Sequence, residues 1–424
     1  MSDDLQLPTE DQRAPQTAPP RIGVVGAGQL ARMMLGPAIE LDLPLIVLAS
    51  AEQESAAVAA SEVRLGRHDD ETAVRDLARE VDVLTFDHEH VPTGYLERLK
   101  AEGRVQVRPG PGALVNAQDK LVMRRHLSEL GHPCPRWWHV KDIADLEQAL
   151  RENSGPVVVK TPRGGYDGHG VRIVERAEDA ADWLEQHGEL LAEQKVPFTR
   201  ELSAQVARRP GGQTTTYPVV QSVQRDGVCY EVVAPAPDLD EAAQHRIQRL
   251  AAAIAEDLGV TGMLAVELFE TADGTVLVNE LAMRPHNTGH WSMDAAVTGQ
   301  FEQHLRAVAD LPLGAPDLLA PCAVMVNLLG GDASELAPGA RAAMEADPGI
   351  KVHLYGKSVR PGRKLGHVTV VGEDPVQLLA RAHRAEKLIV DGPESPDAAG
   401  SPMGADTSNG HPSPDRPDAP EETP

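Results

Sequence analysis

The segment VVVKTPRGGYDGHGVRIV, residues 157–174, has residue types suited to holding an anion. Lys160 ends an apolar, β-branched run, and a glycine-rich loop follows it, with Gly164, Gly165, Gly168 and Gly170. Glycine lets backbone N–H groups approach an anion closely and leaves the loop flexible enough to act as a lid. The lysine precedes the glycines and the chain has no G-x-x-x-x-G-K-[ST] sequence, so the pattern predicts a phosphate lid that is not a Walker loop. A glycine-rich hairpin with a surface lysine is the alternative.

Two acidic residues lie in apolar segments that read as successive strands. Glu267 is in AVELFE, and Glu280 is in LVNELAM with Asn279 beside it. The intervening TADG favours a hairpin turn, which can place both carboxylates on one face of a sheet. Carboxylate and amide oxygens are hard ligands that suit Mg²⁺ carrying nucleotide phosphates. The pair therefore predicts a metal site, whereas a lone glutamate in a strand is usually a solvated side chain.

Two further segments carry cationic and hydrogen-bonding groups. RPHNTGHWS begins at Arg284 and includes His286 and Asn287, which could bind an oxyanion or support proton transfer. KSVRPGRKLGH, residues 357–367, holds four cations within eight residues, namely Lys357, Arg360, Arg363 and Lys364. These cations could bind a phosphate group of a substrate or form an exposed basic turn.

The N-terminal part contains GAGQLA, residues 26–31, after a short apolar strand and before a helical segment. This G-x-G-x-x-A pattern invites a dinucleotide-binding interpretation, with a nicotinamide-dependent oxidoreductase as the implied class. Such sites also need an acid at the end of the second strand, where the chain has Ala49 and Ser50. A tight turn that packs a helix on its strand, or a site for another phosphate, remains open.

The elements that must position these groups alternate between strand and helix in the N-terminal part. The apolar runs RIGVV, PLIVLA and VDVLTF are separated by helical segments, which is typical of a parallel α/β sheet. Residues 104–131 read as a Pro/Gly turn followed by one helix that ends at Gly131. Strand-like segments then dominate residues 156–206, an amphipathic helix precedes Gly259, and residues 320–390 are again strand-like.

These patterns predict three domains. The N-terminal α/β domain covers residues 21–119, a central domain covers 120–319 with a glycine lid at about 156–206, and a small β-rich C-terminal domain covers 320–390. Residues 1–20 and 391–424 are rich in Pro, Asp, Ser and Gly, so we predict disordered tails there.

Composition narrows the classes of partner and location. The chain has 424 residues, of which 41% are hydrophobic and 25% charged, as expected of a multi-domain enzyme. Its formal net charge of −24 argues against nucleic acid as the main partner. Three cysteines far apart suggest neither disulfides nor a zinc site, which fits a reducing cytoplasm. No apolar run is long enough for a membrane span and no secretory signal is evident, so we expect neither.

Taken together, these residues resemble the ATP-grasp superfamily and, within it, the 5-(carboxyamino)imidazole ribonucleotide synthase family of purine biosynthesis. The resemblance covers about residues 21–390 and rests on GAGQLARM, GGYDGHG, AEQKVPFTRELS, GMLAVELF, NELAMRPHNTGHW and VRPGRKLGH. It implies an α/β ATP-grasp fold with a Rossmann-like parallel N-terminal domain. It also implies ATP-dependent carboxylation of 5-aminoimidazole ribonucleotide with bicarbonate, through carboxyphosphate, giving ADP and phosphate. A cytoplasmic homodimer that uses ATP with Mg²⁺, or Mn²⁺, is expected.

The resemblance also implies roles for individual residues. Those expected at ATP are Lys120, Lys160, Gly164, Gly165, Gly168, His169, Gly170, Glu193, Gln194, Lys195, Val196, Glu201, Gln224, Asn279 and Glu280. Within this set, residues 193–196 would hydrogen-bond adenine and Glu201 the nucleotide ribose. The implied metal ligands are Glu267 and Glu280. Those facing bicarbonate and the aminoimidazole are Tyr166, Asp167, Arg284, His286 and Asn287, and those at the substrate ribose and 5′-phosphate are Glu89, Lys357, Arg360, Arg363 and Lys364.

The chain departs from the family's usual residues at four positions. His169 stands where Arg or Lys is common, Met283 where Pro is usual, Asp87 where Glu is usual, and Gln224 where His is common. A neutral imidazole at 169 would weaken a cationic contact from the lid to phosphate. The alternatives are a formate-dependent glycinamide ribonucleotide transformylase, the oxidoreductase, and a nucleotide-binding regulator without turnover.

Overall fold

The computed structural model describes residues 18–165 and 169–392. The predicted tails, apart from residues 18–20 and 391–392, lie outside the described residues, as do Tyr166, Asp167 and Gly168 of the glycine-rich loop. Within the described ranges, no helix is both long enough and apolar enough to cross a membrane.

The N-terminal part is a parallel sheet covered by helices, as the alternating pattern predicts. Its strands are β1 (Ile22–Val25), β2 (Leu45–Ala49), β3 (Glu62–Leu65), β4 (Val83–Phe86) and β5 (Gln106–Val107), in the order β3-β2-β1-β4-β5. The helices are α1 (Gln29–Glu40), α2 (Glu71–Glu80), α3 (Thr93–Glu102) and α4 (Pro111–Gln118). Every residue of β1, β2 and β4 is buried, because helices cover both faces of such a sheet.

The expectation of one helix ending at Gly131 is wrong, because the chain breaks at Asp119. Helix α5 (Lys120–Glu129) begins anew there, and the Asp119 side chain accepts hydrogen bonds from the amides of Leu121 and Val122. Asp119 itself has an extended backbone that ends α4. The N-cap therefore places Lys120 at the first position of a helix, beside the glycine-rich loop, where its amide donates to the carbonyl oxygen of Pro162.

A small antiparallel sheet carries the lysine of the glycine-rich segment. Its strands are β6 (Trp137–Val140), β7 (Val157–Lys160), β8 (Val171–Val174) and β9 (Leu190–Gln194), in the order β6-β9-β7-β8. The helices α6 (Ile143–Asn153) and α7 (Ala181–His187) belong to the same part of the chain. Lys160 is thus the last residue of a strand that is paired on both sides.

The largest sheet is antiparallel and runs from the central part into the C-terminal part. Its strands are β10 (Phe198–Arg208), β11 (Thr214–Thr216), β12 (Val220–Arg225), β13 (Val228–Ala234), β14 (Gly262–Thr271), β15 (Val276–Ala282), β16 (Cys322–Leu329), β17 (Ile350–Leu354) and β18 (Lys364–Gly372). Their order is β15-β14-β10-β12-β13-β16-β18-β17, with β11 paired to β10. Since β13 pairs with β16, the sheet continues past residue 320, and the predicted domain boundaries stay predictions.

Helices complete this part and join it to the N-terminal sheet. They are α8 (Glu241–Asp257), α9 (Ser292–Ala295), α10 (Gln300–Val308), α11 (Ala337–Ala346) and α12 (Pro375–Val390). Buried side chains of both sheets, including Phe86 of β4 and Val266 of β14, lie in one hydrophobic cluster. Burial of that shared apolar surface holds the two sheets together and fixes the walls of the cleft between them.

Candidate active site

A cavity of about 840 Å³ lies where the N-terminal sheet, the small sheet and the large sheet meet. The predicted site residues that line it are Glu89, Lys120, Lys160, Gly164, Gly165, Glu193, Gln194, Lys195, Val196, Gln224, Glu267, Asn279, Glu280, Arg284, His286, Asn287 and Lys364. The described candidates that do not line it are His169, Gly170, Glu201, Lys357, Arg360 and Arg363. Predictions for Tyr166, Asp167 and Gly168 concern positions outside the described residues.

The lysine at the end of β7 is held by a buried carboxylate. Lys160 Nζ lies 2.7 Å from Glu193 Oε2 and donates to Asn279 Oδ1 at 3.0 Å. The other carboxylate oxygen of Glu193 accepts from Nε of Arg124, which is completely buried. Burial alone would raise the pKa of Glu193, but the charges of Arg124 and Lys160 lower it to about 2. The ammonium group is therefore fixed at the cavity wall by an ionised partner.

The second lysine, Lys120, pairs with one of the two carboxylates predicted to bind a metal ion. Lys120 Nζ lies 2.7 Å from Glu280 Oε1. Burial would raise the pKa of Glu280, but this ammonium group holds it below its ordinary value. The two lysines, from α5 and β7, thus contact the neighbouring side chains Glu280 and Asn279 in one cavity, an arrangement that suits the binding of phosphate oxygens.

A β-bulge brings three predicted groups to one face of the β14–β15 hairpin. Glu267 is directly opposite Glu280, as the TADG turn predicts, while the next pair is Leu268 and Val278. Asn279 is the extra residue. In a regular strand Asn279 and Glu280 would point to opposite faces, but both line the cavity because the bulge breaks the alternation.

The carboxylate pair is electrostatically suited to a divalent cation. Burial, together with the nearby charges of Glu280 and Glu201, raises the pKa of Glu267 to about 8. His286 Nε2 lies 3.1 Å from Glu267 Oε1, and burial lowers the pKa of His286 well below its ordinary value. Glu280 is paired with Lys120, whereas Glu267 faces the neutral imidazole of His286, so a bound cation would stabilise the ionised form of Glu267.

The segment after β15 ties the large sheet to the N-terminal domain. Arg284 Nε lies 2.8 Å from Glu89 Oε2, and the amide of Met283 donates to Glu89 Oε1 at 3.2 Å. Met283, one of the four departures, is buried, and its backbone amide makes this contact. Glu89 and Arg284 therefore enter the cavity wall as a pair across the domain interface.

The first glycine motif, GAGQLA, holds a carboxylate of the protein itself at the N-terminus of α1. The amides of Gly28 and Ala31, at the start of α1, donate to the Asp87 carboxylate at 2.6 Å and 2.8 Å. That carboxylate takes the position at the helix N-terminus that a dinucleotide phosphate would occupy. The departure from Glu to Asp at position 87 thus belongs to a helix cap, and the dinucleotide interpretation loses its anion site.

Gln29 connects two predicted substrate-binding residues that lie far apart in the sequence. Its Oε1 accepts from Lys357 Nζ at 2.6 Å, and its Nε2 donates to Asn287 Oδ1 at 3.4 Å. The GAGQLA loop, the segment after β15 and the C-terminal basic segment therefore converge at one amide side chain. Sequence reasoning assigned no role to Gln29, and the only signal was its place in the glycine motif.

The basic segment divides into residues inside and outside the cavity. Lys364 lines the cavity, and its charge contributes to lowering the pKa of His286. Arg363 instead donates through Nη1 to the carbonyl and hydroxyl oxygens of Ser358, so it braces its own loop. The carbonyl oxygen of Arg360 packs against Gly330, where a Cβ atom would lie 2.0 Å away.

Two glycines of the lid segment are required by close packing. A Cβ at Gly165 would lie 2.8 Å from the carbonyl oxygen of His169, and one at Gly170 would lie 2.5 Å from Thr161 Oγ1. Gly170 also has a φ of 75°, which favours glycine. The glycines therefore close the base of the loop, and His169 contributes its backbone there.

Apolar residues line the part of the cavity beside the segment predicted to bind adenine. Phe198 and Phe269 stack with ring centroids 4.6 Å apart, and Val158 and Ile173 come from β7 and β8. None of these was singled out from the sequence, because each reads as an ordinary strand residue. The combination of flat apolar walls and charged residues is suited to a nucleotide with its base at one end and its phosphates at the other.

Replacing Glu201 with glutamine is expected to flatten the pH dependence of folding. Burial raises the pKa of Glu201, on β10, from 4.5 to about 7. A raised carboxyl pKa contributes stability that is complete below the unfolded-state pKa and is lost as the pH rises through about 7. Between about pH 4.5 and 8, the unfolding free energy of the variant should therefore fall less than that of the wild type, by on the order of 2 kcal/mol. Urea denaturation at several pH values measures this, and identical slopes for both proteins would contradict it.

Comparison with known protein families accounts for most of the chain. The preATP-grasp domain of ribonucleotide synthetases matches residues 20–118, the ATP-grasp domain matches residues 125–301, and the C-terminal domain of phosphoribosylaminoimidazole carboxylase matches residues 323–381. These matches confirm the expected fold class: an ATP-grasp protein with a parallel α/β N-terminal domain and a further C-terminal domain.

Individual relatives agree with the family matches. The N5-carboxyaminoimidazole ribonucleotide synthase of Mycobacterium bovis is 49% identical over 380 residues, covering 88% of this chain and 88% of that protein. The Bacillus subtilis protein of the same name is 36% identical and covers 82% of this chain and 90% of its own length. A crystal structure of the Aspergillus clavatus enzyme with ADP and 5-aminoimidazole ribonucleotide superimposes with a TM-score of 0.80 at 29% identity, covering 88% and 99% of the two chains.

Proposed function

The chain belongs to the N5-carboxyaminoimidazole ribonucleotide synthase family of ATP-grasp ligases, and we infer its function from that membership together with the cavity. It is an ATP-dependent carbon–nitrogen ligase that carboxylates 5-aminoimidazole ribonucleotide with bicarbonate in purine biosynthesis. The observation that carries this conclusion is the meeting of Lys120, Lys160 and the Glu267–Glu280 pair with Arg284 and His286 in one cavity. Such a cavity can hold a nucleotide's phosphates beside a second, anionic substrate.

We propose that ATP binds with its base between the apolar walls and its phosphates at the two lysines. Residues 193–196 lie in the cavity wall, where their backbone is suited to hydrogen-bond adenine. Glu201 is the proposed partner of the ribose, and Gln224 lines the cavity near that end. Lys160 and Lys120, held by Glu193 and Glu280, would stabilise negative charge on the transferring phosphoryl group.

We propose that Mg²⁺, or Mn²⁺ in its place, is held by Glu267 and Glu280 with Asn279 alongside. The donor set fits, because the ligands are hard oxygens and because burial and nearby carboxylates raise the pKa of Glu267, whose ionised form a cation would stabilise. When bound, the ion would supply positive charge that stabilises the charge developing on the phosphate oxygens. Among the described residues of the cavity, no other two carboxylates face each other in this way.

The reaction needs an activated form of bicarbonate, because bicarbonate is a poor electrophile. Attack of a bicarbonate oxygen on the γ-phosphate would release ADP and form carboxyphosphate. The exocyclic amine of the ribonucleotide would then attack the carboxyl carbon of carboxyphosphate, with loss of phosphate and of a proton. Alternatively, carboxyphosphate would first release CO₂ and phosphate, and the amine would attack that CO₂ and lose a proton. Arg284 is the proposed anion ligand, and His286 is proposed to face bicarbonate and the aminoimidazole, on the family resemblance.

The glycine-rich lid would protect the intermediate from water. Carboxyphosphate hydrolyses readily, so its transfer requires a closed site. The close contacts at Gly165 and Gly170 give the lid a fixed base. Tyr166 and Asp167 remain proposed contacts to the second substrate, on the family resemblance alone.

The substrate ribonucleotide is proposed to lie toward the N-terminal domain. Glu89 would hold its ribose and Lys364 its 5′-phosphate from within the cavity wall. Lys357, Arg360 and Arg363 do not line the cavity and remain candidates for the phosphate on the resemblance.

Replacing Gln29 with alanine is expected to raise the KM for 5-aminoimidazole ribonucleotide about tenfold and leave the KM for ATP nearly unchanged. The amide holds Lys357 Nζ and Asn287, and a hydrogen bond to a charged group contributes about 1.5–3 kcal/mol. Steady-state kinetics with each substrate varied separately measures the effect. The exposed Gln53, in the same domain, is the matched control as Gln53→Ala. Equal increases in both KM values would contradict a role specific to the ribonucleotide.

The function is tested by measuring ADP release with each substrate omitted in turn. Release should require both bicarbonate and 5-aminoimidazole ribonucleotide, and formate with glycinamide ribonucleotide should not replace them. ADP release that is indifferent to either natural substrate would reject the assignment. A protein that binds ATP without turnover would support the regulator instead.

We further propose that the chain works in the cytoplasm as a homodimer. The family resemblance supports both statements, and the three cysteines are free thiols, as a reducing compartment favours. Light scattering of the purified protein would give the mass of the assembly, and a monomer at micromolar concentration would contradict the dimer.

A further inference from the structure

Two histidines that end sequence motifs have no part in the mechanism above and lie in a column of imidazole rings. His290 ends NTGH and His367 ends GRKLGH. The ring of His367 stacks on His353 with centroids 4.5 Å apart and on His290 at 4.9 Å. His353 and His367 are directly opposite each other on β17 and β18, so the sheet register itself stacks them. We call these three residues the histidine stack.

The stack contains buried ring nitrogens that lack partners. His290 and His367 are completely buried, and the Nε2 atom of each has no hydrogen-bond partner among the described residues. An unsatisfied buried polar atom is costly, and each such atom in a folded protein calls for an explanation. Burial, with the neighbouring imidazoles, lowers the pKa of His367 well below its ordinary value, so this ring is neutral and offers a lone pair.

The contacts made by Nδ1 of His290 and Nδ1 of His367 show which of the two rings can act as a ligand. Gln300 Nε2 donates to His290 Nδ1 at 2.8 Å, which leaves the proton of that neutral ring on Nε2. His367 Nδ1 lies 2.7 Å from the Tyr355 hydroxyl, which can accept its proton and leave Nε2 of His367 bare. A ring that donates through one nitrogen to an oxygen and presents the other is the usual form of a metal-binding histidine.

The carboxylate of Asp294 lies beside His353, the partly exposed ring of the histidine stack. His353 Nε2 lies 2.7 Å from Asp294 Oδ2 at the end of α9. One ligand atom from each of Asp294, His353 and His367 lies within 4.8 Å of the others. Ligands at about 2.0–2.2 Å from a tetrahedral ion stand about 3.3 Å apart. Binding would therefore draw the three ligand atoms together and turn the rings of His353 and His367 out of their stack, whose interplanar angle is 19°, until their lone pairs converge. The side chain of His353 is 27% exposed, which leaves a path from solvent.

We propose that Asp294, His353 and His367 bind a divalent transition-metal ion of the Zn²⁺ type. Two imidazole nitrogens and one carboxylate oxygen form a donor set that favours such ions over Mg²⁺, which the all-oxygen set at Glu267 and Glu280 suits. The neutral ring of His353 would carry its proton on Nδ1, so that Nε2 can bind the ion, and water would fill the remaining coordination position.

The position of the site indicates a structural role. The ligands join α9 to the β17–β18 pair at the edge of the large sheet. Gln300, which holds His290, also bonds the backbone amide and carbonyl of His286 in the active site. A metal ion at Asp294 would therefore brace the segment that carries His286 without touching the substrates.

Equilibrium dialysis of the full-length protein against Zn²⁺, with excess Mg²⁺ and ADP to occupy the carboxylate pair, tests the proposal. We expect about one Zn²⁺ per chain and a higher melting temperature in its presence. Co²⁺ in its place should give the visible absorption of a tetrahedral site.

Variants separate this site from other histidines. Asp294→Asn and His353→Gln, both at partly exposed positions, should weaken Zn²⁺ binding at least tenfold and abolish the Co²⁺ spectrum. His383→Gln is the matched control, since His383 Nε2 pairs with Glu231 at 3.0 Å in another histidine–carboxylate pair. The proposal would be overturned if the wild-type protein bound no Zn²⁺ in the presence of excess Mg²⁺ and ADP. Full Zn²⁺ binding by folded Asp294→Asn and His353→Gln would also overturn it, and the stack would then be a packing feature only.

Discussion

Replacing Glu280 with glutamine is expected to lower ATP turnover by about a thousandfold, or about 4 kcal/mol of transition-state stabilisation. Glu280 pairs with Lys120 Nζ at 2.7 Å, directly opposite Glu267, and is the proposed ligand of the metal ion. Glutamine keeps the shape of the side chain but removes its charge, so both the lysine and the metal ion lose an anionic partner. The measurement is bicarbonate-dependent ADP release at a Mg²⁺ concentration that saturates the wild type.

A matched control separates this effect from a general loss of charge. Glu129→Gln changes an exposed carboxylate on α5, the helix that begins with Lys120, and should leave the rate unchanged. Circular dichroism should show that both variants are folded. Turnover of Glu280→Gln within threefold of the wild type would remove Glu280 from the proposed metal site, and a rate restored by higher Mg²⁺ would show that weakened metal affinity is the cause.

Replacing Arg124 with alanine is expected to destabilise the fold by about 3–5 kcal/mol and to weaken ATP binding. Arg124 is completely buried, contacts the Glu193 carboxylate through Nε, and donates through Nη2 to the carbonyl oxygen of Asn279 at 2.6 Å. Without it, Glu193 would be a buried carboxylate with Lys160 as its remaining cation. Arg124 contacts no substrate in this proposal and is a positioning residue for Lys160 and Asn279.

Two readouts distinguish positioning from stability alone. Urea denaturation gives the loss of stability, and the KM for ATP measured well below the melting temperature gives the effect on folded protein. Arg124→Lys should recover part of the stability but not the bond to Asn279, because a lysine cannot hold both partners in the geometry of a guanidinium group. Arg125→Ala, at the exposed neighbouring position, is the control. A folded Arg124→Ala protein with an unchanged KM for ATP would limit Arg124 to a structural role.

Much of the candidate site could be predicted because its chemistry lies in short segments. The order of lysine and glycines around Lys160, and the two glutamates on either side of a TADG turn, are local patterns that need no knowledge of the fold. The β14–β15 register confirms the most specific of these predictions by placing Glu267 opposite Glu280. The parallel N-terminal sheet followed in the same way from alternating strands and helices.

The groups that hold those residues could not be found in this way, because their partners are remote in the chain. Arg124 and Glu193 are separated by 69 positions, and Gln29 and Lys357 by 328. A buried arginine in an amphipathic helix reads as an ordinary surface residue until the opposite wall is known. The same holds for His367, whose stacking depends on the pairing of β17 with β18.

Two local features also depended on tertiary structure. The sequence alone favoured one helix through residue 119, whereas Asp119 ends one helix and caps the next, and the new helix begins at Lys120. Strand alternation would separate Asn279 from Glu280, whereas the bulge turns both into the cavity. Residue types and their spacing therefore determined which chemistry this chain can carry out and the class of its fold. Only packing decided where each charge lies and what holds it, because the free energy of a buried charge depends on partners that the fold brings from distant segments.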